Sequence, residues 1–144
     1  NLAATRSANN WEPIGTTSNP FKGTFDGADY TISNLVVEGE NYVGLFGYAD
    51  DATIKNVTIK NANVKGVECV GVIAGNVYST SLIDNCHVKG NIKVEGQTSV
   101  GGIVGKYYTK VSNCSVIGDG VATSYVKGTY VKSDFEGVIA IISS

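Results

Sequence analysis

Tyrosines are the residues best placed to do chemistry in this sequence. Tyr48 follows Gly47, Tyr78 follows Gly75, and Tyr107 and Tyr108 follow Gly105, each just past a Val-Gly motif. A tyrosine joins a flat apolar face to a polar tip, so a row of exposed tyrosines stacks on sugar rings or anchors a protein partner. Asp50, Asp51, Asn76 and Lys106 stand near them in the chain and offer polar contacts. Tyr48, Tyr78, Tyr107 and Tyr108 are therefore the predicted ligand-binding residues, with a glycan or a surface protein as the predicted partner. The competing reading is that these rings only cover a corner of the core.

Other chemistry finds little support. A glycoside hydrolase needs two carboxylates facing one cleft, and the 13 acidic residues form no obvious stacked pair. Asp84 shares its repeat position with Lys55 and Ser112, which predicts an exposed ion pair of small worth. The one histidine, His87, lies between two inward positions and is expected to face solvent beside Thr58 and Ser115. Three cysteines, Cys69, Cys86 and Cys114, include no Cys-x-x-Cys pair and read as small buried hydrophobes. Asp26-Gly27-Ala28-Asp29 and Asp50-Asp51 read as turns. No phosphate loop or zinc-protease motif occurs. The sequence thus predicts no catalytic residue, no metal site and no cofactor.

Net charge is -2, with Lys and Arg scattered singly, so no basic stripe awaits nucleic acid. No apolar run reaches the roughly 18 to 20 residues that span a bilayer, and membrane insertion of this segment is not expected. The chain has no Met, which points to a processed form or a piece of something longer.

The elements that must position the tyrosines are repeats. Ile-x-Asn-apolar-x-Val/Ile occurs at Ile32 to Val37, Ile54 to Ile59 and Ile83 to Val88, and again with Val first at Val111 to Val116. These starts are 22, 29 and 28 residues apart. Val-Lys/Glu-Gly recurs at Val37, Val64, Val94 and Val126. A third pattern, Val-Gly followed by apolar residues and Gly, begins at Val43, Val70 and Val100, with an echo at Phe135 to Ala140. The segments between are short, β-branched and punctuated by Gly and Asn, without helical periodicity. Units this small become stable only by stacking and sharing one interior. The expected fold is all-β, a right-handed parallel β-helix of about four coils.

Within Ile54 to Val57, strict alternation would place Val57 outside unless Asn56 bends the chain, and Asn tolerates the left-handed region better than other non-glycine residues. Asn34, Asn56, Asn85 and Asn113 are therefore predicted to stack as one structural ladder at a corner. With parity reset this way, Ile32, Leu35, Val37, Ile54, Val57, Ile59, Ile83, Cys86, Val88, Val111, Cys114 and Val116 face inward. Cys86 and Cys114 then sit on neighbouring coils, as stacked free thiols. Glu38, Lys65, Glu95 and Lys127 alternate in sign, which in-register stacking turns into lateral opposite-charge neighbours.

The stretch Trp11-Glu12-Pro13-Ile14-Gly15, then Pro20 to Leu35 with Phe21-Lys22-Gly23-Thr24-Phe25-Asp26-Gly27, resembles bacterial β-helix proteins that carry the GLUG repeat, as do the Val-Gly repeats. The resemblance runs from Trp11 to about Gly128. It implies a secreted or surface-anchored bacterial protein, often large, in which such repeats form stalks or adhesive regions and sometimes accompany an immunoglobulin-A peptidase. The family does not itself imply catalysis. This chain departs from the pattern at Ala74 and at Glu136.

Residues 1–144 are expected to form a single domain, with 1–30 as N-terminal cap and lead-in, 31–128 as repeat coils and 129–144 as a terminal strand. Trp11 to Pro13 is the candidate cap. Val138, Ile139, Ile141 and Ile142 make the last segment apolar, which predicts a surface for neighbouring domains or copies of itself. Two functions follow: an extracellular module that binds a glycan or surface protein, or a stalk or fibre subunit that stacks end to end. A polysaccharide-active enzyme ranks behind both.

Overall fold

In the computed structural model, the described residues are 11–78, 80–107, 110–118, 125–128 and 142–143. They hold strands and no helix. The strands are β1 (Phe21–Asp26), β2 (Thr31–Glu38), β3 (Asn41–Val43), β4 (Phe46–Lys65), β5 (Glu68–Val70), β6 (Ala74–Tyr78) and β7 (Leu82–Gly96). They continue as β8 (Thr98–Val100), β9 (Val104–Tyr107), β10 (Lys110–Ser112), β11 (Ser115–Gly118), β12 (Tyr125–Gly128) and β13 (Ile142–Ser143).

Every pairing between them is parallel and joins a residue to its counterpart one coil later. Phe46 pairs with Ala74 and Ala74 with Val104. Val43 pairs with Val70 and Val70 with Val100 in a second sheet of β3, β5 and β8. The architecture is a parallel β-solenoid. Its coil array starts ahead of residue 31, because Ile14 already bridges to Phe46 and β1 pairs with β4.

A coil needs sharp corners, and this chain makes them with single left-handed residues in columns. The first column holds Asn56, Asn85 and Asn113, with φ of 58°, 53° and 55°, in line because Lys55, Asp84 and Ser112 are in register. A second holds Asn34 (φ 61°), Asn61 (φ 64°) and Gly90 (φ 86°). At Gly90 a side chain would also collide with the Asn61 side-chain amide oxygen. A third holds Tyr42, Cys69 and Ser99, with φ of 60°, 58° and 56°. A left-handed residue other than Gly costs about 1 to 2 kcal/mol, so its recurrence in columns marks a geometric demand of the coil.

Asn34 is the correction to the predicted ladder. The chain places it one corner away from Asn56, because Ile32 pairs with Ile59 and Leu35 with Ala62. Its amide oxygen accepts from Asn61 Nδ2 at 3.3 Å. The short spacing of 22 residues between the first two copies of the motif is the reason: it is less than a full coil, so those copies serve different corners. Phe25 takes the place next to Ile54 instead.

The interior is built from matching columns: Ile54 with Ile83, Ile59 with Val88 and Val116, and Val37 with Val64 and Val94. All of these are essentially inaccessible, while Ile32, Val111 and Cys114 are only partly buried and close the ends of the core. Glu38, Lys65, Glu95 and Lys127 occupy successive positions of one register column, so residues of opposite sign alternate along it.

None of the cysteines is in a disulfide; Cys69 and Cys86 are buried and Cys114 is half-buried. The Cys86 thiol is pushed well above its ordinary value by its hydrogen bond with the Cys114 thiol and by burial, which makes it a poor nucleophile.

Candidate functional site

The tyrosines come to the surface where β4 and β6 leave the third corner. Tyr42, in that corner, meets Tyr48 edge to face, with ring centroids 5.3 Å apart and planes at 75°. Tyr48 lies 6.5 Å from Tyr78, with planes at 34°. Tyr78 is 44% exposed, and Tyr42 and Tyr48 are half-buried. Contacts of this kind are each worth about 0.5 to 1.5 kcal/mol beyond their buried area, so the rings support one another as a group.

This group is not the row that the sequence predicts. Tyr48 has Asn76 as its register neighbour, Asn76 in turn has Lys106, and Tyr78 has Asp50. Tyr107 takes the position next to Val77, in a column that also holds Ala49; Ala49 and Val77 are fully buried. Tyr108 lies outside the described residues. The offset of each ring explains this: Tyr48 follows its motif glycine directly, Tyr107 stands two residues after, and Tyr78 and Tyr108 stand three after. In a strand, a shift of one residue exchanges the two faces. Tyr42 escapes a search for residues after the motif because it precedes Val43-Gly44. Aligning Tyr42 with Cys69 and Ser99, the residues just before Val70 and Val100, would have placed it at the corner.

Asn76 stands next to Tyr48 in register and is 7% exposed. Its amide oxygen is enclosed and accepts no hydrogen bond. Enclosing such an acceptor without a partner costs about 1 to 3 kcal/mol, and native structures keep few such groups without cause. Beside it, Asp50 occupies the position next to Tyr78, and Asp51 accepts a hydrogen bond from Thr80 Oγ1 at 2.7 Å.

The asparagine column forms a second polar surface. Asn56 Nδ2 donates to Asp26 Oδ1 at 2.9 Å, and Asn85 Nδ2 donates to Asn56 Oδ1 at 2.8 Å. Asn113 Nδ2 and Ser112 Oγ donate to Asp84 Oδ1 at 2.8 and 2.9 Å, so Asp84 braces the column rather than serving only as the partner of Lys55. His87 lies between Thr58 and Ser115 in register. Its Nε2 is 2.8 Å from Asn85 Oδ1 and its Nδ1 is 2.7 Å from Ser115 Oγ, so both ring nitrogens are engaged by the column.

Asp26 is held below the ordinary carboxylate range by the hydrogen bond from Asn56 and then by that from the Ala28 backbone. A depressed folded value means that its contribution to stability is full above the unfolded carboxylate range and fades as pH falls through the folded value. Acid unfolding followed by circular dichroism should therefore begin at a higher pH in Asp26→Ala than in the native chain. Coincident acid transitions would show that the carboxylate does not brace the column.

The second corner opens a groove of about 350 Å³ lined by Asn34, Asn61, Asn63, Asn91 and Lys93. At the end of the stack where the first coil lies, Trp11 donates from Nε1 to the Leu45 carbonyl at 3.1 Å and from its backbone to that of Val36 at 2.7 Å. A hollow of about 430 Å³ remains beside it, lined by Phe25, Tyr30, Ile32, Leu45 and Val57 among others. At the other end, β13 pairs with β11, Ile142 next to Ile117. Val138, Ile139 and Ile141 lie outside the described residues. Among the described residues, no group of three or more His, Cys, Asp or Glu side chains could hold a metal ion.

Against known proteins, the family model described as the GLUG motif matches residues 66–93 and 96–129. Halomucin of Haloquadratum walsbyi is 36% identical over 116 residues, which cover 72% of this chain and 1% of that protein. A putative Gly-rich membrane protein of Evansella cellulosilytica is 33% identical over 85 residues, 55% of this chain and 10% of that protein. The chain thus spans a small fraction of the curated relatives it matches. No solved structure matches it.

Proposed function

We propose that this chain, which carries the GLUG motif at residues 66–93 and 96–129, is a non-catalytic module of a surface or secreted protein, binding through its tyrosine face. The observation that carries the reading is the group of Tyr42, Tyr48 and Tyr78, side by side on a rigid sheet with Tyr78 44% exposed. Rigid aromatic rings lose little conformational freedom on binding and dominate contact energies. The relatives support the location: one is a halomucin and the other is described as a membrane protein. Adhesion to a glycan or to a surface protein is the role that fits such a face, in an extracellular or cell-surface setting.

Retention of the chain on surfaces coated with polysaccharide or with protein tests this reading. The double variant Tyr48→Ala, Tyr78→Ala should lose about tenfold or more in retention on one class of surface, the effect expected for removing a contact centre. Equal retention of both forms on every surface would overturn it.

A stalk or spacer is the second reading, favoured by the apolar hollow beside Trp11, where a further coil would bury Phe25, Ile32 and the 77% exposed Tyr30. A spacer of this kind would show no dependence on the tyrosines in the retention assay.

A further inference from the structure

We propose that the tyrosine face takes an extended chain of neutral hexopyranose units, one sugar lying on Tyr48 and the next on Tyr78, with a sugar hydroxyl donating to Asn76 Oδ1. The proposal rests on the binding role given above and supplies its ligand class.

The arrangement of the rings is the first argument. Tyr48 and Tyr78 are inclined by only 34° with centroids 6.5 Å apart, which makes a shallow platform and not a box. A box of rings encloses a compact cation; a platform suits a flat ring that presents C–H bonds to a π face. The spacing is comparable with that between successive rings of an extended pyranose chain. Tyr42, edge-on to Tyr48 at 5.3 Å, props the first ring and holds the platform's tilt.

Hydrogen-bonding capacity is the second argument. Among the described residues, around the rings stand the Asp50 carboxylate in register with Tyr78, the Asp51 carboxylate and the enclosed Asn76 oxygen, against one cationic donor, Lys106, in register with Asn76, so acceptors outnumber donors. Carboxylates and amide oxygens accept hydrogen bonds, so the ligand must be rich in donors. Sugar hydroxyls meet that need. An extended peptide brings as many carbonyls as N–H groups, and half of its backbone would face acceptors. A polymer of uronic acids would bring its own negative charge against Asp50 and Asp51.

Asn76 is the third and most specific argument. Its oxygen is shut in without a donor, although it belongs to the column of Tyr48. A hydroxyl held by the flanking rings would provide the missing donor. Surface side chains change rotamer within picoseconds to nanoseconds, so enclosure in the free chain does not bar its approach.

Calorimetric titration of the whole chain with β-1,4-linked hexamers of glucose, mannose and N-acetylglucosamine tests the proposal, with the galacturonic acid hexamer as the charged counterpart. At least one neutral hexamer should bind and the charged one should bind more weakly. Tyr78→Ala should weaken binding at least about tenfold, as expected for a contact centre. Asn76→Leu should weaken it about tenfold while leaving the melting temperature unchanged or higher, since it removes an unsatisfied acceptor. In the native chain, the Asn76 side-chain amide resonances should shift on titration, a readout that holds even if the leucine variant fails to fold. Failure of all the neutral hexamers to bind, or unchanged Asn76 resonances, would overturn the proposal. Tyrosine-dependent retention without any hexamer binding would sink the sugar assignment and leave the binding role standing.

Discussion

Gly75→Ala is expected to lower the stability of the chain by about 3 kcal/mol, the upper part of the range for forcing extra atoms into a packed interior. A β-carbon at this position would lie 2.7 Å from the Cys69 carbonyl oxygen and 2.7 Å from both the carbonyl carbon and the Cα of Tyr42. All of these are backbone atoms, so no side chain can turn aside to relieve the contact. The equivalent Gly105 meets Val70 N at 2.5 Å and Ser99 O at 2.6 Å, which shows the same approach one coil later. The closing glycine of the Val-Gly motif is therefore required where the backbone of one segment presses on another. Gly39→Ala is the control: a β-carbon there meets only Val43 Cγ2, at 3.4 Å, and the expected change is within about 0.5 kcal/mol. Urea unfolding midpoints for the two variants decide the matter, and equal shifts would remove the close-approach explanation.

Asn85→Ala is the second large effect, about 3 kcal/mol. About 1 to 2 kcal/mol comes from holding alanine at a left-handed φ of 53°. The remainder is the loss of the bonds from Asn85 to Asn56 and with His87, each worth about 0.5 to 1.5 kcal/mol net. Asn85→Gly separates the two parts, because glycine accepts the conformation but restores no amide; its loss should be about 1 to 2 kcal/mol, the part left once the strain of alanine is taken away. If glycine destabilises as much as alanine, the backbone conformation is not what asparagine supplies here. Thermal unfolding of the two variants at one pH is the measurement.

Much of the fold was legible in the sequence because a solenoid repeats its demands. Val37, Val64 and Val94 recur with a following Lys or Glu and then Gly, and the structure places them in one buried column. The need for a parity-resetting residue between Ile54 and Val57 was likewise readable, since two inward side chains three residues apart cannot both follow strict alternation. What misled was local likeness. Ile32-Ser33-Asn34 looks like Ile54-Lys55-Asn56, yet its register partner is Ile59-Lys60-Asn61, because two corners of one coil pose the same steric problem and accept the same residues.

The candidate site was less legible. Tyrosines after each Val-Gly motif suggested a row, but one-residue differences in offset scatter them among columns, leaving Tyr48 and Tyr78 together and Tyr107 in register with buried Val77. Tyr42 joins them from a corner, a contact between residues that no repeat pattern pairs.

By itself the sequence determined the class of fold, the stacking period, the inward residues and the use of asparagine at corners. These follow from short-range rules: alternation of faces along a strand, the left-handed tolerance of Asn and Gly, and the recurrence of like residues one coil apart. Only the tertiary structure decided which corner each asparagine serves, which tyrosines meet, and that Asn76 is enclosed without a donor. Those depend on how neighbouring coils align to within one residue and how their side chains then crowd together, a relation between segments some 28 to 30 residues apart (46 to 74 and 74 to 104) that no local pattern encodes.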